Sequence, residues 1–255
     1  MRIRATVAAL TGALALSALA VPSAHAATAP VLSKVTVNGG KDIVLGTTVP
    51  KTVTVSVTAS HASGIATGWA ILWHGTSLEK GMDGALVPTQ EATCKNASAT
   101  TATCSFALTV DPRADLTSNA LAGSWHVLAG AEAKDGSSTS YDSFATTRVQ
   151  RLSKLTVNAA PEPVKKGRTI TVTGKLTRAN WETHAYAGYT VQPVKLQFRK
   201  KTSTAYTTVK TIKSSSTGAL KATVKASVDG YWRYSFAGTS TTPAVTTTGD
   251  YVDVR

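Results

Sequence analysis

Two heptapeptides in this chain are almost identical: Leu32–Asn38 reads LSKVTVN and Leu152–Asn158 reads LSKLTVN. Each is followed, after a turn, by a stretch with an apolar residue at every second position, TVTVSVT (52–58) in one case and TITVTGKL (169–176) in the other. Val53, Val55 and Val57 share one face, as do Ile170, Val172 and Leu176, while Thr171, Thr173 and Lys175 face away. A period of two marks a strand with one buried side, because successive side chains of an extended chain point in opposite directions. The same two motifs in the same order predict a duplicated unit, each copy opening with a first strand that leads into a second.

The rest of the chain reads the same way. Further strands are predicted over Gly68–His74, Cys104–Val110, Trp125–Ala133, Val194–Arg199, Ala219–Ala226 and Tyr231–Ala237, with Asp83-Gly84, Asp135-Gly136 and Asp229-Gly230 as turn pairs. No stretch after residue 26 sustains helical periodicity. Short strands at this spacing predict an all-β chain of two tandem antiparallel sandwiches, residues 27–150 and 151–255. The connecting TTRVQRLSK (146–154) has neither Gly nor Pro, so the last strand of one unit should run almost directly into the first strand of the next. Trp69, Ile71 and Trp73 share a face by alternation and are assigned to the core, as are Trp125 and Trp232.

Residues 1–26 combine Arg2 and Arg4, an apolar run from Ala5 to Val21 and the triplet Ala24-His25-Ala26, the pattern of a secretory signal peptide cleaved before Ala27. There is no lipid-accepting cysteine near that site and no hydrophobic tail in GDYVDVR, so the expectation is an exported, extracellular protein, free or loosely wall-associated. Cys94 and Cys104 are the two cysteines, and an even pair in an oxidising compartment predicts one disulfide. The role of the long segment 75–103 is not readable from its residues.

GRTITVTGKLTRANW (167–181), YTVQPVKLQFRKK (189–201), GYWRYSFAGTSTTPAV (230–245) and the closing YVDVR resemble the immunoglobulin-like modules of secreted and cell-surface bacterial proteins. WHVLAGAEAKDGSSTSYDSF (125–144) is similar to the last hairpin of such modules. The resemblance implies the fold and leaves function open. Some exported proteins with a similar C-terminal half are labelled calcium-binding, which makes Asp111, Asp115 and Glu182 the candidate oxygen donors of an interdomain site.

Charge is the feature with a functional edge. Residues 151–255 hold 17 Lys and Arg against 5 Asp and Glu, whereas residues 27–150 hold 8 against 9. Lys195, Arg199, Lys200, Lys201, Lys221, Lys225 and Arg233 are the candidate ligands for an anionic wall polymer, an acidic polysaccharide or extracellular nucleic acid, bound without reading sequence. In an immunoglobulin-like sandwich, the strands of Lys195 and Lys221 should lie on opposite sheets. Trp181, with Tyr186 and Tyr189, lies between two strands; such a loop either stacks on a sugar or partner, or folds back to cap its own sandwich. The histidines are scattered and no G-x-S-x-G or H-E-x-x-H motif is present, so the expectation is a non-enzyme.

Overall fold

The computed structural model describes residues 28–255; the expected signal peptide lies outside the described residues. The first strands are β1 (Val31–Val37), β2 (Ile43–Leu45), β3 (Lys51–Ser60), β4 (Ile65–Gly75) and β5 (Met82–Leu86). They are followed by β6 (Thr93–Asn96), β7 (Thr101–Val110), β8 (Gly123–Ala133) and β9 (Ser138–Arg151). After Leu152 come β10 (Ser153–Leu155), β11 (Asn158–Ala160), β12 (Thr169–Asn180), β13 (Ala185–Gly188) and β14 (Pro193–Lys200). The chain ends with β15 (Thr207–Lys213), β16 (Ala219–Lys225), β17 (Gly230–Phe236), β18 (Val245–Thr246) and β19 (Asp250–Val252).

In the N-terminal half, the sheet β1-β3-β7-β6 faces the sheet β2-β9-β8-β4-β5. Val53, Val55 and Val57 of β3 meet Leu72 of β4 and Trp125 and Val127 of β8 in one core. In the C-terminal half, β10, β11, β13 and β16 gather on β12, opposite a sheet in which β14 lies between β15 and β17 and β17 also pairs with β18 and β19. Ile170, Val172 and Leu176 pack there against Leu196, Trp232 and Phe236. Tyr234 crosses this second core and donates its hydroxyl to the Val172 carbonyl at 2.8 Å; burial pushes its pKa up to about 12. Facing sheets around a single apolar layer define β-sandwich units of the immunoglobulin-like or fibronectin-III-like kind.

The two heptapeptides do the same work. In the first, β1 runs antiparallel to β3 with Val35 opposite Val57. In the second, β10 and β11 run antiparallel to β12, with Leu155 opposite Leu176 and Ala159 opposite Val172. The second copy breaks where Thr156 presses against Gly174, at which a Cβ would come within 2.2 Å of the Thr156 carbonyl oxygen. The N-terminal half then adds a parallel pairing of β2 with its last strand, β9, and the C-terminal half a single parallel bridge between Val164 and Val254, just beyond β19.

Two expectations are corrected. Asp83-Gly84 is no turn: it lies within β5. Trp69, Ile71 and Trp73 do not face the core, which Ala70 and Leu72 fill instead. The cause is β8, whose own alternation buries Trp125, Val127, Ala129 and Ala131. Directly paired residues share a sheet face, and the register sets Trp69 against Gly130, Ile71 against Leu128 and Trp73 against His126. Trp73 is buried all the same, stacked on His126 with centroids 4.2 Å apart and donating Nε1 to the Asp142 carbonyl at 2.7 Å. Trp69 and Ile71 stay half-exposed.

Within segment 75–103, β5 forms the edge of one sheet and β6 the edge of the other. Cys94 of β6 is bonded to Cys104, its direct partner on β7, across a sequence separation of 10. The bond therefore holds a four-residue edge strand onto its sheet. Replacing both cysteines by serine should cost about 2–3 kcal/mol by loop entropy, measured by urea unfolding, with the same loss on reduction of the native protein.

Candidate functional site

The outer face of the β15-β14-β17 sheet collects the basic side chains. Pleating turns Val194 and Leu196 inward and Lys195, Gln197 and Arg199 outward; on β17 it turns Trp232, Tyr234 and Phe236 inward and Tyr231, Arg233 and Ser235 outward. Register then sets Arg199 opposite Tyr231 and Gln197 opposite Arg233. The Arg199 guanidinium lies 3.9 Å from the Tyr231 ring centroid, and the Arg233 guanidinium lies 3.7 Å from that of Tyr206. Tyr251 of β19 extends the row, its ring 5.1 Å from Tyr231 and 5.5 Å from the Lys201 ammonium. Tyr206, Tyr231 and Tyr251 were not singled out from sequence; Tyr231 and Arg233, two apart in GYWRYSF, carried the local signal.

These contacts orient the cations without neutralising them. A guanidinium over an aromatic face is attracted by the ring quadrupole and keeps its charge. Arg199 gives one N–H to the Ser203 carbonyl at 2.7 Å, and Arg233 gives Nε–H to Gln197 Oε1 at 2.8 Å. A guanidinium has five N–H donors, so most remain for a ligand. Among the described residues, the ion pairs are Arg148–Asp42 and Arg255–Asp253, with His61–Asp135 and His74–Asp83 as further contacts that are charged only when the imidazole is protonated, and none of the four joins a carboxylate to a cation of this face. The nearby acids form no ion pair with the two guanidinium groups: Asp229, beside Lys201, accepts from the Val254 N–H and the Tyr251 hydroxyl, and Asp250 accepts from the Ala159 N–H. The Val254 N–H, followed by Tyr251 and Lys201, holds the Asp229 carboxyl below its usual range. The Tyr251 hydroxyl raises the Lys201 ammonium above its own. Lys200 is exposed at the end of β14, while Lys221 and Lys225 project from β16 in the opposite sheet.

The aromatic loop has a different role from either reading of the sequence. Trp181 is fully buried, and its indole packs with Ala179 in the core of the N-terminal half. It neither faces solvent nor caps its own sandwich. Its Nε1 donates to the Gly46 carbonyl at 3.0 Å and its backbone N–H to Asn119 Oδ1 at 3.0 Å. Tyr186 is half-buried against the same core, under the Lys154 ammonium at 3.7 Å. Tyr189 lies in the other core, edge-on to Phe236 and beneath the Arg178 guanidinium at 3.9 Å. Buried Arg151 donates Nε–H to the Ala179 carbonyl at 2.6 Å, and desolvation, then the charge of Arg178, pulls its pKa down to about 10.

The candidate calcium donors are engaged in local hydrogen bonds. Asp115 accepts from the Asp111 N–H at 2.7 Å, and Asp111 from the Arg113 N–H at 2.9 Å. Glu182 reaches across the junction to the Asn119 N–H at 2.9 Å and the Ser118 hydroxyl at 3.4 Å. Among the described residues, no group of three or more His, Cys, Asp or Glu is placed to hold a metal ion. No helix among them is long and apolar enough to cross a membrane.

Residues 47–131, about a third of the chain, match the sequence profile of a "Family of unknown function (DUF5707)". No curated protein matches. Among solved structures, dimeric latent PorU from Porphyromonas gingivalis is 10% identical with a TM-score of 0.30, the match covering 92% of this chain and 21% of PorU. The adhesin InvE of Yersinia pseudotuberculosis is 17% identical at 0.27, over 87% of this chain and 60% of that one. The fibronectin(III)-like modules of Clostridium thermocellum CbhA are 12% identical at 0.32, over 87% and 93%. This chain spans about a fifth of PorU, and at these scores nothing about activity or partners is carried over.

Replacing Trp181 by alanine should cost about 3–5 kcal/mol, the usual range for an emptied aromatic site. Because the indole fills the N-terminal core, a fragment ending at Gln150 should melt below the same residues in the full chain. A differential scan of both proteins measures this. The Asn119 N–H holds the Glu182 carboxyl below its usual range. A carboxyl with a lowered folded-state pKa stabilises fully above its unfolded value of about 4.3 and loses that contribution as pH falls through the folded value. The acid limb of the stability curve should therefore be shallower in Glu182→Gln than in the native protein.

Proposed function

We propose that this chain is a non-catalytic, exported binding module of two tandem sandwich units, residues 27–150 and 151–255, whose second unit engages an anionic cell-wall polymer or acidic polysaccharide. The observation that carries this reading is the face formed by Lys195, Arg199, Lys201 and Arg233, interleaved with Tyr206, Tyr231 and Tyr251, on which Asp229 beside Lys201 is the one carboxylate coupled to a cation among the described residues. Guanidinium groups match phosphate and carboxylate oxygens in pairs. Tyrosine rings supply a flat apolar surface between them. Binding is electrostatic in the main and reads no nucleic-acid sequence, since cations that contact a charged backbone position a ligand without specifying its bases. A net charge near zero in the first unit makes it a spacer in this reading.

The test is co-sedimentation of the mature chain with purified cell wall, intact or stripped of its anionic polymer, at low and high salt. The chain should pellet with intact wall at low salt and be released at high salt, since exposed charges are screened within about 8 Å at physiological ionic strength. Arg199→Gln combined with Arg233→Gln should weaken binding about tenfold, as expected for two charge-assisted contacts. Lys221→Gln with Lys225→Gln, on the other sheet, should bind as the native chain does. Equal pelleting with stripped wall, or equal loss from both pairs, would overturn the assignment.

A further inference from the structure

The N-terminal half has a surface opening of its own. A groove of about 570 Å³ lies between Ala66–Ile71 of β4 and the crossing segment Val87–Ala92. It exists because β5 pairs with β4 only from Leu72 to Gly75, leaving the preceding edge uncovered. Trp69 forms part of the wall. Its indole rests against Gly130, where a Cβ would come within 2.3 Å of ring atoms Cε2 and Cζ2. That backing fixes the ring on the outer sheet face, and its remaining surface lines the groove.

The polar groups around this ring are unspent. Trp73, Trp125 and Trp181 each donate Nε1 to a carbonyl, whereas Nε1 of Trp69, like that of the core residue Trp232, has no acceptor among the described residues. Among the described residues, no buried side-chain nitrogen or oxygen is left unpaired, so this Nε1 reaches solvent. Gln90 and Glu91 line the same groove and make no side-chain hydrogen bond or ion pair among the described residues. Val87 and Pro88 add apolar surface. The volume lies in the range of small-ligand sites, which combine an apolar lining with a few polar groups that set orientation.

We propose that this groove binds a β-linked, gluco-configured glycan, with one pyranose ring stacked on Trp69 and its hydroxyls on the Gln90 amide and the Glu91 carboxylate. A gluco-configured ring carries its substituents equatorially, so its faces offer only C–H groups, and these match a flat indole. The hydroxyls at the ring edge need donors and acceptors, which Nε1 of Trp69 and the Gln90 and Glu91 side chains of the same groove lining offer. Glu91 is the sole ionisable side chain in the lining, so the groove favours a neutral ring over the polyanion drawn to the basic face. The two sites are separate, and neither proposal depends on the other.

The mature chain is titrated with cellohexaose and, in parallel, with chitohexaose, both β-linked and gluco-configured, while the indole Nε1–H resonances of its five tryptophans are followed by NMR. The Trp69 resonance is assigned by its loss in Trp69→Phe. It should shift saturably with at least one of the two oligosaccharides, while those of Trp125 and Trp181 stay in place. Gln90→Ala, a change in a surface segment, should keep the native Tm and weaken binding about tenfold, the loss of about 1.4 kcal/mol; Trp69→Ala should abolish it. A Trp69 resonance that neither sugar moves overturns the proposal, as does one that moves equally with a proline-rich peptide. Native affinity in Gln90→Ala overturns it too, even if Trp69→Ala does not fold.

Discussion

The burial of one indole from the second half of the chain in the core of the first is the contact on which the arrangement of this protein depends. Trp181 stands directly after β12, and β12 therefore serves two cores: Ile170, Val172 and Leu176 belong to the C-terminal one, Ala179 and Trp181 to the N-terminal one. Around it, Asn119 and Asn180 bond to each other at 2.8 Å, and Gln150 donates to the carbonyls of Thr239 and Ser240. With only Leu152 between β9 and β10, the junction is a packed interface rather than a linker.

That packing explains how two arginines come to be sequestered beside each other. Desolvating a guanidinium is costly unless its donors are met. Arg151 meets the Ala179 carbonyl, and Arg178 lies on the Tyr189 ring with an N–H toward Thr242. Glu182 adds the compensating charge for Arg151 from the rim. The interface is thus anchored by an apolar plug, and its polar groups are satisfied around that plug.

Because the junction is fixed, the two outer sheet faces are held as well, and their chemistry differs. One presents Trp69 and a near-neutral groove, the other arginines and lysines interleaved with tyrosines. Both arise from the same rule of pleating: each strand that supplies a core residue must turn its neighbour outward. On β17 the outward residues are Tyr231 and Arg233; on β4 they are Trp69 and Ile71.

Much of this was legible in the residues alone. The repeated LSK[VL]TVN, the alternation of Val53–Val57 and Ile170–Leu176, and the cysteine pair led to paired strands, two apolar layers and a disulfide. Composition alone showed that positive charge is concentrated after Gln150. Alternation also put Lys195 and Arg199 on the solvent side of their strand. It did not say which side of β4 was inside, since a period of two divides residues into two sets without ranking them; the partner strand does that, by setting Gly130 opposite Trp69. Likewise, nothing near ANWET reveals that its tryptophan fills a core built from residues many strands earlier, or that Tyr206 and Tyr251 meet the arginines of β14 and β17. Local pattern is set by the chain's own geometry and can be read along it. The choice of inward face, the plug at the junction and the gathering of cations on rings are set by contacts between distant segments, and only the tertiary structure decides them.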